Sequence, residues 1–351
     1  MKNLAEIISD DAKQICGKVD LTEIKGKTVL VTGASGLIGG YFLACLKHLS
    51  GDPLWKFKAL IVMQNQPSPY LMEFLNYEGA NIFVGDLTDY DFCKSLPQAD
   101  YIIHAAGYGQ PGRFMENPVK TIQINTSVTC ALFEKLRSQG KFLFISTSEV
   151  YSGLTNAPFK EDQIGTTNTM HPRACYIEAK RCGETICNAK RLQGVQAKSA
   201  RLALAYGPGT KPGDMRVVNS FIEKALHGKI SLLDQGNAKR TYCYVSDAVE
   251  IMWNILLRGS EPIYNVGGFS KTTIGDLARK IGGYLNVPVI FPESSDNIIA
   301  GAPDDVFLDM TKTQDEFVKT AYVPFDEGLV RTIEWQKILY DNLSRETELR
   351  G

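Results

Sequence analysis

A tyrosine and a lysine stand four residues apart in the segment Tyr176-Ile-Glu-Ala-Lys180. On a helix, this spacing places both side chains on one face. A phenol with a pKa of about 10 is a poor proton carrier at neutral pH, but a neighbouring ammonium favours the phenolate and lowers that pKa. Tyr176 is therefore a candidate general base, although a Tyr-x-x-x-Lys pair by itself is more often an ordinary pair on a helix surface.

Hydroxyl side chains follow a predicted strand upstream of this pair. The strand runs into Ser146-Thr-Ser-Glu-Val-Tyr151, so Thr147, Ser148 and Glu149 fall at its carboxyl end. Thr147 can hydrogen-bond the substrate oxygen that Tyr176 deprotonates, and this division of labour assists the removal of a hydride from a secondary alcohol.

A glycine-rich turn, Thr32-Gly-Ala-Ser-Gly-Leu-Ile-Gly39, directly follows a β-branched run and opens a predicted helix. In such a turn the first glycine permits the tight bend, the second lets the backbone approach a pyrophosphate, and the third lets helix and strand pack closely. The free N–H groups of the helix N-terminus favour phosphates. The turn therefore predicts a nicotinamide dinucleotide site, which we expect to include Gly33, Ser35, Gly36, Leu37, Ile38 and Gly39.

The choice between the two nicotinamide cofactors depends on the end of the second strand, Val62-Met-Gln-Asn-Gln66. It offers no acid for a ribose 2′-hydroxyl and no cation for a 2′-phosphate, which favours NAD with NADP as the alternative. Gln64 could bond a hydroxyl, and Asp86 could accept from the adenine amino group or simply begin the next turn. The other expected cofactor contacts are Leu87, Ala105, Ala106, Gly107, Asn125, Tyr176 and Lys180.

Strands alternate with helices through most of the chain, which predicts parallel pairing with right-handed crossovers. The fold class is α/β, a Rossmann-type doubly wound parallel sheet with a smaller mixed C-terminal substrate lobe. We expect strands near 28–32, 57–63, 81–84, 101–104, 141–146 and 197–203, and helices near 70–77, 89–96, 117–138, 172–192, 215–227, 246–258, 273–285 and 326–343.

The predicted organisation has three parts. Residues 1–25 form an N-terminal helical extension, and residues 26–205 form the NAD-binding Rossmann domain, to which 240–258 return. Residues 206–351 form mainly a substrate-binding lobe over the carboxyl edge of the sheet, where ligands of open α/β sheets bind.

The composition argues against several classes of function. The 351 residues carry 38 Lys and Arg against 39 Asp and Glu, so no basic field favours nucleic acid. The acidic N-terminus and the short apolar runs indicate a cytoplasmic protein with no membrane partner. The four histidines and eight cysteines are dispersed, and no metal site is expected.

Together, these motifs resemble the extended short-chain dehydrogenase/reductase family, in its sugar-nucleotide epimerase/dehydratase branch, and within it the UDP-glucuronate decarboxylases. The similarity runs from about Lys27 to past Lys312. Further motifs that carry it are His104-Ala-Ala-Gly107, Asn117-Pro-Val-Lys-Thr121, His171-Pro-Arg-Ala-Cys-Tyr176, Asp214-Met-Arg-Val-Val218, and Arg240 followed by Tyr244-Val-Ser-Asp247.

The resemblance implies tightly held NAD, transient oxidation of a nucleotide sugar at C4, and return of the hydride after a second step. A UDP-sugar is the favoured substrate, and a homodimer built on the helices near 117–138 and 172–192 is implied. Thr147, Tyr176 and Lys180 would form the catalytic triad, with Glu149 as a second acid/base beside Ser148. The arginines expected to bind substrate are Arg216 and Arg240, at the nucleotide and its diphosphate, Arg173, and Arg113, which is a clamp for an anion or a solvated surface residue.

Four positions depart from the branch pattern. The dehydratases carry an Asp–Glu pair where this chain has Ser148 and Glu149, and the decarboxylases carry Asn, Tyr and Arg near Leu204, Phe114 and Val306. The C4 oxidation machinery is intact, but the second step is open between decarboxylation, epimerisation and 4,6-dehydration. Reduction of a 4-keto sugar and a Rossmann binding module that has lost its chemistry are the further alternatives.

Overall fold

The computed structural model of the chain describes residues 3–293 and 305–348. Residues 1–2 of the expected extension, and 294–304 and 349–351 of the expected substrate lobe, lie outside the described residues. In chain order the elements are α1 (Leu4–Lys18), β1 (Thr28–Thr32), α2 (Leu37–Ser50), β2 (Lys58–Met63), α3 (Pro69–Met72), β3 (Ala80–Val84), α4 (Tyr90–Ser95), β4 (Ala99–His104), α5 (Pro111–Glu116), α6 (Pro118–Asn125), α7 (Ser127–Phe133), β5 (Leu136–Thr147), α8 (Ala174–Leu192), β6 (Gln196–Leu202), β7 (Ala205–Tyr206), α9 (Val217–Leu226), β8 (Ile230–Ser231), β9 (Lys239–Tyr244), α10 (Val245–Arg258), β10 (Ile263–Val266), β11 (Ser270–Thr273), α11 (Ile274–Leu285), β12 (Val289–Ile290), β13 (Asp305–Val306), α12 (Thr311–Phe317) and α13 (Phe325–Glu348).

Seven parallel strands form the large sheet, in the order β10-β6-β5-β4-β1-β2-β3. In the centre, Val31 of β1 lies beside Ile61 of β2 and Ile103 of β4. The strand order reverses between β1 and β4, and at such a point the loops diverge and leave a crevice at the carboxyl edge. The predicted doubly wound parallel sheet is confirmed.

Helices cover both faces of this sheet, which is why all five residues of β1 are buried. Val29 and Val31 belong to one apolar core together with residues of α1, α2 and α10. Leu30, which points the opposite way, belongs to a second core together with residues of α4, α7 and α8. The two cores fix the strands that carry the site.

A smaller mixed sheet lies beyond the large one, as predicted. Its central strand β9 pairs antiparallel with β11 and parallel with β13 and β7. Strands β8 and β12 form a separate parallel pair. In the segment 240–258, β9 belongs to the smaller sheet, whereas α10 packs on β5 and β6 of the large sheet.

The predicted helix over 117–138 is wrong in part. It is divided into α6 and α7 at Thr126, whose backbone has φ −118° and ψ −82°, and β5 begins at Leu136. The hydroxyl of Thr126 donates to the carbonyl oxygen of Ile122, and that of Thr129 donates to the carbonyl oxygen of Asn125. Such bonds from β-branched side chains bend and weaken a helix.

The N-terminal helix α1 shares the main core. Ile8, Ala12 and Ile15 are fully or almost fully buried, and the helix packs against α2, α10 and α13.

The short helices α5 and α12 were not predicted, and the helix expected over 70–77 ends at Met72. In the part of the chain that the structure describes, no helix is both long and apolar enough to span a bilayer.

Candidate active site

A cavity of about 580 Å³ opens at the carboxyl edge of the large sheet. It is lined by the glycine turn, the ends of β2, β4 and β5, the start of α8, and the segment between β7 and α9. Every site residue predicted from the sequence lines this cavity except Asn125. Asn125 is fully buried and donates its side-chain amide to the carbonyl oxygen of Thr121. It is therefore turned back into α6, away from the cavity.

The glycine turn forms one end of the cavity. Gly33 has a φ of +64°, and a Cβ there would lie 2.5 Å from the carbonyl oxygen of Ala105. A Cβ on Gly39 would overlap the backbone of Gly33 and lie 2.7 Å from the Cα of Ala34. Gly36 caps α2 without a side-chain bond, so no side chain blocks this helix N-terminus. The turn fits the diphosphate of a dinucleotide.

Gln64, which follows β2, and Asp86, which follows β3, also line the cavity. Asp86 Oδ1 accepts hydrogen bonds from the amide (2.9 Å) and hydroxyl (2.7 Å) of Thr88, and its Oδ2 lies 2.5 Å from Lys120 Nζ. Burial works against the charged carboxylate, but the bonds from Lys120 and Thr88 outweigh it and lower the pKa of Asp86. Asp86 therefore begins the next turn and also presents a charged carboxylate to the cavity.

A buried histidine holds the segment that follows β4, residues 105–107, in place. His104 Nδ1 lies 2.8 Å from the hydroxyl of Thr32, and its Nε2 lies 3.0 Å from the carbonyl oxygen of Ile124. A carbonyl only accepts, so Nε2 carries the proton and Nδ1 accepts from Thr32, whose oxygen in turn accepts from the amide of Ala106. Burial, together with the charge of Lys180, lowers the pKa of His104 to about 3. The neutral ring holds the cavity-lining residues after β4 in place.

The predicted acid–base group meets at the other side of the cavity. Thr147 lies close enough to Tyr176 for its hydroxyl to favour the phenolate form, and the ring of Phe114 stacks on the Tyr176 ring with centroids 4.6 Å apart and planes at 3°. Lys180 Nζ donates to the carbonyl oxygen of Ile145 over 2.6 Å. The strand end and the helix α8 therefore bring the three predicted catalytic side chains together.

The pKa values of the pair differ from the sequence-based expectation. Burial raises the pKa of Tyr176 to about 12, and the bond from Thr147 offsets this only in part. Burial also lowers the pKa of Lys180 to about 7, although the Glu184 carboxylate favours its charged form. Loss of hydration is the largest cause for both groups, and Lys180 is not among the leading influences on the pKa of Tyr176. A positive charge entering the cavity would shift the phenol towards its base form.

Glu149 forms an ion pair beside this group. Arg173 Nη2 lies 2.5 Å from Glu149 Oε1, and the amide of Glu149 donates to the hydroxyl of Thr147 over 3.2 Å. Burial raises the pKa of Glu149, whereas the charges of Arg173 and Arg240 oppose the rise. A half-buried carboxyl with a raised pKa in a cleft suits acid–base chemistry.

Arginines also line the cavity. Arg216 makes a bidentate ion pair with Asp214, with Nε 3.0 Å from Oδ1 and Nη2 2.5 Å from Oδ2. Arg240 lines the cavity from β9, and Arg113 lines it from an exposed position on α5. The charges of Arg173 and Arg216 both act on Tyr176. Guanidinium groups in this arrangement suit a phosphate or carboxylate ligand.

Residues 29–267 match the model of the NAD dependent epimerase/dehydratase family. The chain belongs to this family. It is similar to UDP-glucuronic acid decarboxylase 1 of Danio rerio, with 30% identity over 322 residues, which cover 90% of this chain and 74% of that protein. It is also similar to UDP-glucuronic acid decarboxylase 5 of Arabidopsis thaliana, with 28% identity over 310 residues and 86% coverage of each chain. A structure of UDP-glucose 4-epimerase with UDP-glucose, from Thermotoga maritima, superposes with a TM-score of 0.74 at 24% identity, and covers 88% of this chain and 98% of that chain.

This epimerase/dehydratase family uses NAD, and the residues present fit that cofactor. The uncapped N-terminus of α2 faces the cavity, and Gly36 offers no side chain to block a diphosphate. Gln64 occupies the position after β2 at which an enzyme that uses NADP would place a cation for the 2′-phosphate. An uncharged residue there favours NAD, as predicted. In the described residues, no group of three or more His, Cys, Asp or Glu side chains is placed to hold a metal ion.

The three departures from the decarboxylase pattern all line the cavity of this family member. Phe114 stacks on Tyr176, Leu204 adjoins the small sheet, and Val306 pairs with Arg240 across β13 and β9. Leu204 has a φ of +28°, a region that asparagine tolerates better than a branched side chain. These apolar groups change the lining of the cavity, whereas Thr147, Tyr176 and Lys180 are kept.

Sequence reasoning missed part of the site between β7 and α9. Gly209, Thr210, Lys211 and Met215 line the cavity beside the predicted Arg216. The glycines and prolines of this segment signalled an irregular loop, but the side it faces depends on contacts with distant helices.

Proposed function

We propose that this chain oxidises C4 of a UDP-sugar with NAD, completes a second step on the keto sugar, and returns the hydride. The similarity to proteins named UDP-glucuronic acid decarboxylase makes UDP-glucuronate the favoured substrate. The observation that carries the proposal is that Thr147, Tyr176, Lys180 and Arg216 line one cavity, with the Thr147 hydroxyl acting on Tyr176. A secondary alcohol bound in this cavity would lie next to a base, Tyr176, and a hydroxyl that can bind its oxygen, that of Thr147.

Each residue has a defined task in the oxidation. Thr147 holds the C4 oxygen, and Tyr176 takes the proton of the C4 hydroxyl as the C4–H hydride leaves. Bound NAD would supply the hydride acceptor. Lys180, held by the carbonyl oxygen of Ile145, favours the phenolate only in the fraction of molecules in which it carries its proton. Reversing these transfers returns the hydroxyl group at C4.

Glu149 is assigned to the second step. A ketone at C4 makes a C6 carboxylate labile, so the C5–C6 bond can break with loss of carbon dioxide and the electron pair moving to the C4 oxygen. A proton must then be added at C5, and Glu149 is a carboxyl group with a raised pKa next to Thr147. Ser148 stands where the dehydratases place an acid, so this chain lacks the usual group for loss of water.

Mass spectrometry of UDP-glucuronate incubated with the protein and NAD tests this proposal. A product lighter by carbon dioxide supports decarboxylation, and an isomer of equal mass supports epimerisation, which shares the first step. Tyr176→Phe should be inactive in either case. If several UDP-sugars are all left unchanged by the wild-type protein, the proposal is wrong. Continuous consumption of added NADH would instead support a simple reductase.

We also propose a homodimer formed by the face of α6 and α8. These helices pack side by side, and Val119 and Ile122 of α6 are exposed with 67% and 43% of their surface accessible. Exposed apolar side chains on adjacent helices favour association. Light scattering should give twice the chain mass, and Val119→Glu should shift it towards the monomer. A cytoplasmic location stays a prediction from the sequence.

A further inference from the structure

The loop 207–216 forms a whole wall of the cavity, since every residue from 209 to 216 lines it. The loop has no regular structure, and Gly209 and Gly213 adopt φ values of +99° and +69°. It carries Asp214 and Arg216, whose ion pair faces the ligand space. Such a segment is mobile unless other elements bond its backbone.

Three aromatic side chains make those bonds. Trp335 Nε1 donates to the carbonyl oxygen of Thr210 over 3.2 Å, and the amide of Gly213 donates to the hydroxyl of Tyr340 over 3.2 Å. Tyr70 donates its hydroxyl proton to the carbonyl oxygen of Gly209 over 3.3 Å. Two of the three aromatic residues belong to α13, more than 100 positions beyond the loop in the sequence.

Helix α13 is itself firmly attached. Trp335 is fully buried and meets the Tyr70 ring edge-on, with centroids 4.9 Å apart. Gln336 donates to the side-chain oxygen of Asn219 at the start of α9 over 2.9 Å. Arg331 pairs at 2.5 Å with the buried Asp11 of α1. The three aromatic side chains therefore bond the loop from a fixed base.

We propose that Trp335, Tyr340 and Tyr70 are positioning residues that hold loop 207–216 in the conformation that binds the nucleotide diphosphate through Arg216. The inference rests on the proposed function. A loop ordered before binding loses less conformational entropy when the ligand arrives, so the same contacts give a higher affinity. The acid–base group lies on β5 and α8, so loosening the loop weakens binding without slowing the bound substrate's reaction.

Calorimetric titration with UDP, and separately with NAD, tests the proposal. Tyr340→Phe and Tyr70→Phe each remove one hydroxyl, and we expect each to weaken UDP binding by about fivefold, with NAD binding unchanged. The KM for UDP-glucuronate should rise by the same factor at constant kcat. Trp335→Phe should act in the same direction, with its melting temperature recorded to check folding. Tyr284→Phe, on an exposed side chain of α11, should match the wild type.

A double-mutant cycle with Arg216→Ala separates this inference from the proposed function. If Tyr340 acts through Arg216, Tyr340→Phe should have less effect on UDP binding in the Arg216→Ala protein than in the wild type. Loss of UDP affinity in Arg216→Ala with wild-type affinity in both tyrosine variants would overturn the positioning role and leave the proposed function intact. Wild-type UDP affinity in Arg216→Ala would instead overturn the nucleotide site on which both depend.

Discussion

Lys180 Nζ lies 5.9 Å from the centre of the Tyr176 ring and donates its hydrogen bond to the carbonyl oxygen of Ile145 rather than to the phenol. Both side chains are buried. Burial disfavours the phenolate and the ammonium alike, and the pKa values of about 12 and about 7 follow from it. Near neutral pH the phenol is therefore protonated and the lysine is divided between its charged and neutral forms, so both respond to the charge of what enters the cavity.

Removing the Tyr176 hydroxyl should abolish the oxidation at C4. We expect Tyr176→Phe to lower the rate of this step by about 10²–10⁴, because the group proposed to take the proton is lost. The rise in reduced-nicotinamide absorbance in a single turnover measures it. UDP and NAD affinities serve as controls and should change little. A rate within tenfold of the wild type would show that another group is the base.

Glu149 and Arg173 should set the pH dependence of the second step. Because the Arg173 charge lowers the pKa of Glu149, Arg173→Met should raise it, and the limb on which the rate decreases with pH, as Glu149 loses the proton it donates, should move to higher pH. Glu149→Gln should remove this limb. The pH profile is measured at saturating substrate. The matched variant Arg279→Met breaks an exposed ion pair with Asp276 and should leave this profile unchanged. An unshifted limb in Arg173→Met would exclude Glu149 as its source.

The features that the sequence predicted well are local ones. The turn from Gly33 to Gly39 and the helix carrying Tyr176 and Lys180 depend on contacts within a few positions, so their residue types reveal them. The contacts that fix the site are long-range: His104 meets the hydroxyl of Thr32 across 72 positions and Trp335 meets Thr210 across 125. No spacing pattern announces such partners.

The burial of Tyr176 and Lys180 also depends on long-range contacts that the local sequence does not reveal. The four-residue spacing was visible, but the amount of hydration that both groups lose depends on Phe114 and the sheet. The break at Thr126 shows the converse limit. The sequence predicted one continuous helix over 117–138, whereas side-chain hydroxyls of that segment bond back to the main chain and interrupt it.

An alanine at Gly39 should damage both folding and cofactor binding. Its Cβ would overlap the backbone of Gly33 and approach the Cα of Ala34 to 2.7 Å, so the turn must move. We expect a loss of about 1–3 kcal/mol in the free energy of unfolding and at least tenfold weaker NAD binding. Gly112→Ala is the control, because a Cβ there meets nothing within 4 Å and α5 favours alanine. Equal behaviour of the two variants would contradict the close packing at Gly39.

Lys180 should make the stability of the protein depend on pH in a defined window. Below about pH 7 the lysine is protonated in both the folded and the unfolded chain, so its contribution is constant. Between about 7 and its ordinary pKa of 10.5, only the unfolded chain keeps the proton, so the free energy of unfolding rises with pH. Lys180→Met has neither protonation event. The wild type should therefore gain stability relative to Lys180→Met as pH rises through this window, with no relative change below it.

Urea unfolding of both proteins from about pH 6 to about pH 10 measures this difference directly. The hydrogen bond to Ile145 and the packing of the stem change in the variant, but these effects shift the whole curve rather than its slope. Lys229→Met, on an exposed lysine, controls for the loss of one surface charge and should give a flat difference. A flat difference for Lys180→Met as well would mean that Lys180 keeps its proton in the folded protein. In that case its charge would be available to Tyr176 after all, and the ammonium would again be the dominant influence on the phenol.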